Sequence, residues 1–375
     1  GRYQYRLRGA AEEPINSRSK GSTTLGLPPE VPTLPSLLRQ AGYHTALIGK
    51  WHLGYPPAFG PLKSGYDTFF GPMSGGVDYF THCSNNGSHD LYADEAERHE
   101  EGYLTDLLSQ RAAAYVHDRA ADPGRRPFLL SLHYTAPHWP WETRDDEALA
   151  QEVKDNLFHL HGGNIHTYRR MIHHMDEGIG QVMTALRRHG LADNTLVVFT
   201  SDNGGERFSD NWPLVGGKMD LTEGGIRVPW IAHWPAAIAP GGVSAQQCLT
   251  MDWSATMLDA AGVLADAAYP LDGISLLPVL KDPTSSFRRP LHWRMNHRGQ
   301  RALRDGDWKY LRVDGNDYLF NIPADERERA NHAGREPARL AAMRKAWEAW
   351  EATMPPIPPD ATVSLGYSVK DMPQR

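Results

Sequence analysis

The sequence is poor in cysteine, in long apolar runs and in positive charge. Two cysteines among 375 residues exclude a disulfide-built scaffold. The sequence contains no apolar stretch long enough to span a membrane. Lysine and arginine number 39 against 45 aspartates and glutamates, and the resulting net charge of -6 disfavours a general nucleic-acid binder. The remaining composition is that of an ordinary globular protein, and it leaves periplasmic, secreted and cytoplasmic locations equally open.

One stretch ends a predicted strand in polar residues. Residues 195–205 read T-L-V-V-F-T-S-D-N-G-G, a short β-branched run followed by an acid, an amide and two glycines. This pattern predicts a buried parallel strand, and ligands of α/β sheets bind at the carboxyl ends of such strands. Asp202 and Asn203 therefore stand where a hard cation or a phosphate-like group would be held. A simple Asp-Asn turn explains this stretch equally well.

Other predicted strands and loops also carry charged or ionisable residues at or near their ends. Lys50 and His52 follow the apolar run at 46–48, and His138 follows the one at 128–132. Lys218 lies on a glycine-flanked loop before the apolar segment 228–234. Together with Asp202 and Asn203, these residues favour an anion site beside a metal ion.

Four motifs in this order resemble the type I sulfatases of the alkaline phosphatase superfamily. They are G-K-W-H-L-G at 49–54, T-A-P-H-W-P at 135–140, S-D-N-G-G at 201–205, and G-G-K at 216–218 with E-G-G-I-R-V-P at 223–229. The resemblance implies a sulfuric ester hydrolase acting on an aryl or carbohydrate sulfate, a small molecule or a glycan. A phosphonate monoester or phosphodiester hydrolase of the same superfamily, and a non-catalytic protein that binds sulfated ligands, are the alternatives.

The sequence departs from the family pattern at the nucleophile. Family members carry an acidic pair and a C-x-P-x-R or S-x-P-x-R motif whose Cys or Ser becomes formylglycine, and neither feature is present here. Cys83 and Cys248 lie in unrelated contexts, whereas residues 1–3, G-R-Y, resemble the segment that follows the motif. We therefore expect the nucleophile to lie upstream of Gly1 and residues 1–375 alone to be inactive and poorly soluble.

The resemblance also implies a role for each candidate residue. Asp202 and Asn203 would complete the ligand shell of calcium, with magnesium as the alternative. Lys50 and Lys218 would bind sulfate oxygens, His138 would bind sulfate or donate to the ester oxygen, and His52 would orient the formylglycine. Ser74 is a further substrate-binding candidate, by its position after the sequence F-F-G-P at 69–72. Glu223 and Arg227 are assigned to loop support.

The alternation of predicted helices and strands indicates an α/β fold, and the family fold is a large, mixed, mostly parallel sheet flanked by helices. Helices are predicted near 33–42, 103–120, 168–186 and 252–262, with strands at 44–49, 127–134 and 195–200. From residue 289, short runs between turns predict an antiparallel sheet closed by a helix at 337–354. We accordingly divide the chain into a catalytic domain, 1–288, and a carboxyl-terminal subdomain, 289–375. Oligomeric state is left open.

Residues 55–100 are rich in glycine, proline, asparagine and aromatics, and predict a long structureless loop that faces substrate. Its acidic run at 94–101 is interpreted as solvated surface. Most of the 18 histidines are given structural or exposed roles, because they lack the spacing of a zinc motif.

Overall fold

The computed structural model describes residues 1–7, 19–153, 157 and 162–358, which form two compact units. The mixed-sheet unit contains the described residues from 19 to 194 and residues 257–271. The antiparallel-sheet unit contains residues 1–7, 195–256 and 272–358. The predicted division of the chain at residue 288 stays a prediction.

The mixed-sheet unit is built on five strands flanked by helices. Strand order is β4-β3-β2-β1-β5, with β1 parallel to β2 and to β5 and the other pairs antiparallel. The strands are β1 (His44–Gly49), β2 (Thr68–Pro72), β3 (Leu91–Ala93), β4 (Ala96–Glu97) and β5 (Phe128–His133). The helices are α1 (Leu34–Gln40), α2 (Leu104–Ala120), α3 (Glu147–Val153) and α4 (Ile165–Arg188).

Local sequence explains how the central strand is placed. Thr33 caps α1 in a reciprocal capping box with Ser36. Just after the helix, Gly42 adopts a left-handed conformation with a φ of 90°. The chain therefore enters β1 within a few residues, and Ala46 and Leu47 are fully buried there. Helices α2 and α4 approach closely at Gly178, where a Cβ atom would collide with Ser109. These helices and strands confirm the predicted α/β alternation.

The predicted structureless loop at 55–100 is wrong, because this segment contributes β2, β3 and β4 to the main sheet. The pairing of β2 with β1 buries Phe69 and Phe70. Gly71 lies so close to the Gly49 carbonyl that a side chain would not fit. Gly71 and Pro72, which favoured a loop, are therefore part of strand β2. The apolar run of this strand is too short to show the alternation of a β-strand.

The antiparallel-sheet unit has a four-stranded sheet in the order β11-β10-β9-β8. Met343 and Trp347 of helix α8 pack on Leu303, Tyr310 and Leu319 of this sheet, which confirms the predicted carboxyl-terminal arrangement. The strands of the unit are β6 (Val197–Thr200), β7 (Trp230–His233), β8 (Leu291–Met295), β9 (Gln300–Asp305), β10 (Trp308–Val313) and β11 (Asn316–Asn321). Its helices are α5 (Glu223–Ile226), α7 (Leu277–Lys281) and α8 (Pro337–Glu351), and α6 (Asp252–Ala261) spans the division between the units.

Strand β6 differs from the buried parallel strand that its sequence predicts. It pairs antiparallel with β7, and within the described residues this is its one strand partner. Phe199 is 37% exposed and Ile231 of β7 is 60% exposed. A continuous apolar run shows that a segment is β-prone, but it does not identify the neighbouring strand or its direction.

Among the described helices, none is both long and apolar enough to cross a membrane.

Candidate active site

Lys50 lies where the ends of β1 and β5 are bonded together. Its backbone N–H donates to the His133 carbonyl over 2.9 Å, and the Nδ1 atom of His133 donates to the Lys50 carbonyl over 3.1 Å. Gly49, at a φ of 118°, lets the two strands approach, because a Cβ atom there would overlap the His133 carbonyl. The lysine side chain therefore starts from a fixed backbone at the carboxyl edge of the parallel strands.

His52 and His138 are brought together against two consecutive glycines, Gly75 and Gly76. A Cβ atom on Gly75 would lie 2.6 Å from Nε2 of His52, and one on Gly76 would lie 3.2 Å from Nδ1 of His138. The backbone N–H of His52 also donates to the Met73 carbonyl over 2.9 Å. The glycines thus leave room for two imidazoles that are far apart in sequence.

The ring of His138 is oriented by its own loop. Its Nδ1 donates to the Trp139 carbonyl over 2.8 Å, and its centroid lies 4.3 Å from the Trp139 ring. A carbonyl can only accept a hydrogen bond, so Nδ1 carries a proton and Nε2 is the nitrogen that exchanges one. The Tyr79 hydroxyl donates to the His138 carbonyl over 2.9 Å and fixes the backbone as well.

Ser74 is buried beside the same glycines. Its hydroxyl donates to the Gly76 carbonyl over 3.2 Å, and its N–H donates to the Asp90 carboxylate over 2.8 Å. Burial raises the pKa of Asp90 to about 6. The structure therefore places Ser74 next to both histidines, and its predicted contact with substrate stays a prediction.

Two buried acids, Asp78 and Glu142, were missed by the sequence reasoning. Asp78 accepts from the N–H groups of Phe80 and Thr81, and Glu142 accepts from the N–H of Tyr79 over 3.1 Å. Burial and the neighbouring Asp78 charge raise the pKa of Glu142 to about 9. Glu142 is therefore protonated at neutral pH and donates to Asp78, which joins the Ser74 loop to the His138 loop. Asp78 and Glu142 are far apart in the chain, so no local sequence pattern links them.

Asp202 and Asn203 follow β6 directly, as predicted, and lie in the antiparallel-sheet unit. The amide nitrogen of Asn203 donates to the Gly204 carbonyl over 3.1 Å, which leaves Oδ1 as its ligand atom. Asp202 is exposed, and no hydrogen bond from a described residue occupies its carboxylate. Two oxygen donors of this kind fit a hard divalent cation and not zinc.

The Lys218 loop interlocks with the loop that carries Asp202 and Asn203. The N–H of Lys218 donates to the Gly205 carbonyl over 3.1 Å, and its ammonium lies 3.3 Å from Glu206. The Gly204 N–H donates to the Gly225 carbonyl over 2.9 Å. A Cβ atom on Gly217 would lie 2.5 Å from the Gly205 carbonyl. Backbone contacts therefore set the position of all three predicted residues of this unit.

Buried side chains of the four-stranded sheet support the Lys218 loop. The Gln300 amide accepts from the Leu221 N–H over 2.9 Å and donates to the Met219 carbonyl over 2.8 Å. Lys309, fully buried, lies 2.9 Å from Glu223 and 2.8 Å from Glu328. Glu223 therefore has the supporting role predicted for it, whereas Lys309 and Gln300 gave no signal beyond a strand.

The predicted site residues thus fall into two groups. Four lie in the mixed-sheet unit and three lie in the antiparallel-sheet unit. The first group consists of Lys50, His52, Ser74 and His138, and the second consists of Asp202, Asn203 and Lys218. The first offers two imidazoles, a hydroxyl and an ammonium, and the second offers oxygen ligands beside an ammonium. Such chemistry suits hydrolysis of an anionic ester with the help of a divalent ion.

Comparison with solved structures defines the class of the fold. The crystal structure of Ps i-CgsB in complex with k-i-k-neocarrahexaose matches 93% of this chain and 79% of its own, at 29% identity and a TM-score of 0.79. The fold is therefore an α/β fold of the alkaline phosphatase-like superfamily.

The sulfatase family model matches residues 1–263, and the chain belongs to the sulfatase family. Mouse (Mus musculus) N-acetylgalactosamine-6-sulfatase is 31% identical over 292 residues, which cover 72% of this chain and 53% of the relative. Mouse arylsulfatase J is 30% identical over 272 residues, which cover 70% of this chain and 44% of the relative. The chain spans about half the length of these curated relatives. Sulfatases generally use a divalent metal ion and a formylglycine.

Proposed function

We propose that this protein hydrolyses the sulfate ester of an aryl or carbohydrate substrate. The packing of His52 and His138 on the Gly75–Gly76 pair, in a chain of the sulfatase family, carries the proposal. The names of the relatives, an N-acetylgalactosamine-6-sulfatase and an arylsulfatase, support this substrate class, as does the complex of Ps i-CgsB with k-i-k-neocarrahexaose.

Asp202 and Asn203 are proposed to bind a calcium ion, with magnesium as the alternative. Their carboxylate and amide oxygens are the ligands that both ions prefer. When bound, the ion supplies positive charge that polarises the sulfate and the nucleophile. The interlocked backbone at Gly204, Gly205 and Lys218 supports the loop that carries both proposed ligands.

Lys50 and Lys218 are proposed to hold the sulfate oxygens. Positive charge fixed before the reaction stabilises the negative charge that develops on these oxygens in the transition state. Lys50 is fixed through its backbone bonds to His133, and Lys218 through Gly205 and Glu206. Ser74, buried beside the histidines, is proposed to contribute a further polar contact to substrate.

His138 is proposed as the general acid and His52 as the group that orients the nucleophile. Because Nδ1 of His138 is bonded to the Trp139 carbonyl, Nε2 delivers the proton to the ester oxygen as the sulfur–oxygen bond breaks. A formylglycine oriented by His52 would supply the nucleophilic oxygen. Neither Cys83 nor Cys248 lies in the C-x-P-x-R motif that is converted to formylglycine.

Leaving-group dependence tests the proposal. The protein is expressed from its native locus, with calcium, and assayed on aryl sulfates whose phenols differ in acidity. We expect His138→Ala to lower kcat by about 10²–10⁴-fold for poorly acidic phenols and much less for nitrophenol, since a good leaving group needs no proton. Lys218→Ala should instead slow all of these substrates to a similar extent, because it removes charge stabilisation.

Exposed His166, on α4, supplies the matched control, and His166→Ala should leave all rates unchanged. A phosphonate monoester or phosphodiester hydrolysed in preference to every sulfate would contradict the proposed reaction. Equal rates of His138→Ala and wild type on all aryl sulfates would contradict the role of His138.

A further inference from the structure

A second group of potential metal ligands lies on the β3–β4 hairpin of the mixed-sheet unit. His89 precedes β3, Glu97 ends β4, and His99 follows two residues later. Glu97 pairs with Tyr92 across the hairpin, and the Arg98 N–H donates to the Leu91 carbonyl, so the pairing continues toward His89 and His99. The hairpin thereby brings residues from both of its strands to one place.

The three side chains are close enough to share one ion. One ligand atom from each lies within 4.8 Å of the other two, and the His89 and His99 ring centroids are 4.1 Å apart. Ligands about 2.1 Å from a tetrahedral zinc ion lie roughly 3.4 Å from one another. Glu97 and His99 are exposed, so side-chain rotation alone can close the remaining gap.

We propose that His89, Glu97 and His99 form a binding site for Zn²⁺ or a similar transition-metal ion. Two imidazoles and one carboxylate are a zinc ligand set, which leaves the fourth position to water. Nitrogen ligands distinguish this site from the oxygen ligands Asp202 and Asn203, which suit calcium. The bound ion joins the two strands of the hairpin, and its role is structural.

The His89 side chain offers a nitrogen atom to a metal ion. Its Nδ1 atom is buried and has no hydrogen-bond partner among the described residues, and its ring contacts that of His99. Glu97 and His99 belong to the exposed acidic run at 94–101, and both lie beside His89.

Lys20 competes with the ion for Glu97. Its ammonium lies 2.8 Å from Oε1 of Glu97, and the Tyr92 hydroxyl donates to the same oxygen over 3.1 Å. The second carboxylate oxygen, Oε2, is the atom assigned to the metal. Removing the lysine charge should therefore strengthen zinc binding, whereas removing a ligand should weaken it.

Zinc titration tests the site. Chelator-treated full-length protein, kept in calcium to fill oxygen sites, is titrated with zinc chloride by calorimetry, and cobalt chloride is used for visible spectra. We expect one zinc equivalent in wild type, at least about tenfold weaker binding in His99→Ala because one of three ligands is lost, and tighter binding in Lys20→Met. Cobalt should give the intense visible bands of a four-coordinate ion in wild type and lose them in His99→Ala.

His173→Ala is the matched control, since His173 is an exposed histidine on α4 outside the cluster. His99 is itself exposed, so its replacement by alanine should not disturb folding. Zinc binding that is absent from wild type, or equal in wild type and His99→Ala, would overturn the proposal. The readouts are binding and spectra, so a failed sulfatase assay has no bearing on them.

Discussion

The glycines beside the predicted site residues make different contacts in the two units. In the mixed-sheet unit, Gly75 and Gly76 face the imidazoles of His52 and His138. In the antiparallel-sheet unit, Gly204, Gly217 and Gly225 instead face backbone carbonyls of the neighbouring loop. An imidazole can move aside when a methyl group is added, whereas an interlocked backbone cannot. Substitutions should therefore affect histidine position in the first unit and loop folding in the second.

The buried charges also differ between the units. In the mixed-sheet unit, burial and the neighbouring Asp78 raise the pKa of Glu142 to about 9, so Glu142 is neutral at pH 7. In the antiparallel-sheet unit, Lys309 compensates Glu223 and Glu328 as a buried ammonium. Burial nevertheless raises the pKa of Glu328. The Lys218 loop thus depends on an ion pair that must remain intact, and the His138 loop depends on a hydrogen bond that an amide can reproduce.

Loss of Lys309 should have the largest effect on stability. We expect Lys309→Met to lower the free energy of unfolding by about 3–5 kcal/mol, because Glu223 and Glu328 are left buried without their cation. Chemical denaturation followed by tryptophan fluorescence measures this loss. Calcium binding at Asp202 and Asn203 should weaken in parallel, since Glu223 anchors the loop that interlocks with theirs.

Two comparison variants separate charge from packing at Lys309. The triple variant Lys309→Met, Glu223→Gln, Glu328→Gln removes both orphaned charges and should recover much of the lost stability. Lys345→Met, at an exposed position of α8, should change stability by less than about 0.5 kcal/mol. If Lys309→Met cost no more than Lys345→Met, the Lys218 loop would not depend on the buried ion pair.

Adding a methyl group at Gly75 or Gly76 tests the contrast between side-chain and backbone contacts. Gly75→Ala forces the His52 ring to move, and a displacement near 1 Å can lower kcat about 100-fold. Gly76→Ala should cost less than about tenfold, because its Cβ would lie 3.2 Å from the His138 ring, which needs a shift of only tenths of an ångström. Steady-state kinetics on an aryl sulfate measures both.

The counterpart in the other unit is Gly217→Ala, whose Cβ would meet the Gly205 carbonyl at 2.5 Å. This variant should lower the melting temperature more than either Gly75→Ala or Gly76→Ala. A melting temperature that falls equally in all three would show that the glycines of both units act through folding alone, and the contrast between the units would fail.

Sequence reasoning succeeded where the signal is local. The Thr33 cap, the glycine at residue 42 and the apolar repeat of α4 predict their elements because each acts over a few residues. It failed at β2, where a short strand contains Gly71 and Pro72, and at the partner of β6. The predicted polar residues do follow their strands. The supporting residues Lys309 and Glu142 were missed, because their partners come from distant parts of the chain.

Replacement of Glu142 by glutamine should have its smallest effect on stability at acid pH. The native pKa of Glu142 is raised from 4.5 to about 9, so the folded state holds a proton that the unfolded chain has released. This contribution to stability is complete below pH 4.5 and is lost as pH rises toward 9. Glutamine also donates to Asp78 but does not titrate. Near pH 4.5, Glu142→Gln should therefore change unfolding free energy by about 1 kcal/mol or less, and as pH rises the variant should become more stable than wild type.

The decisive measurement is the pH dependence of the free energy of unfolding between pH 5 and pH 9. Chemical denaturation at intervals of roughly one pH unit provides it. Wild type should lose stability across this window more steeply than Glu142→Gln, because the variant lacks the titrating group. Glu147→Gln, at an exposed position of α3, should follow the wild-type curve. Parallel curves for wild type and Glu142→Gln would mean that Glu142 is ionised in the fold. The His138 loop would then be held by charge, as the Lys218 loop is, and the contrast between the two units would disappear.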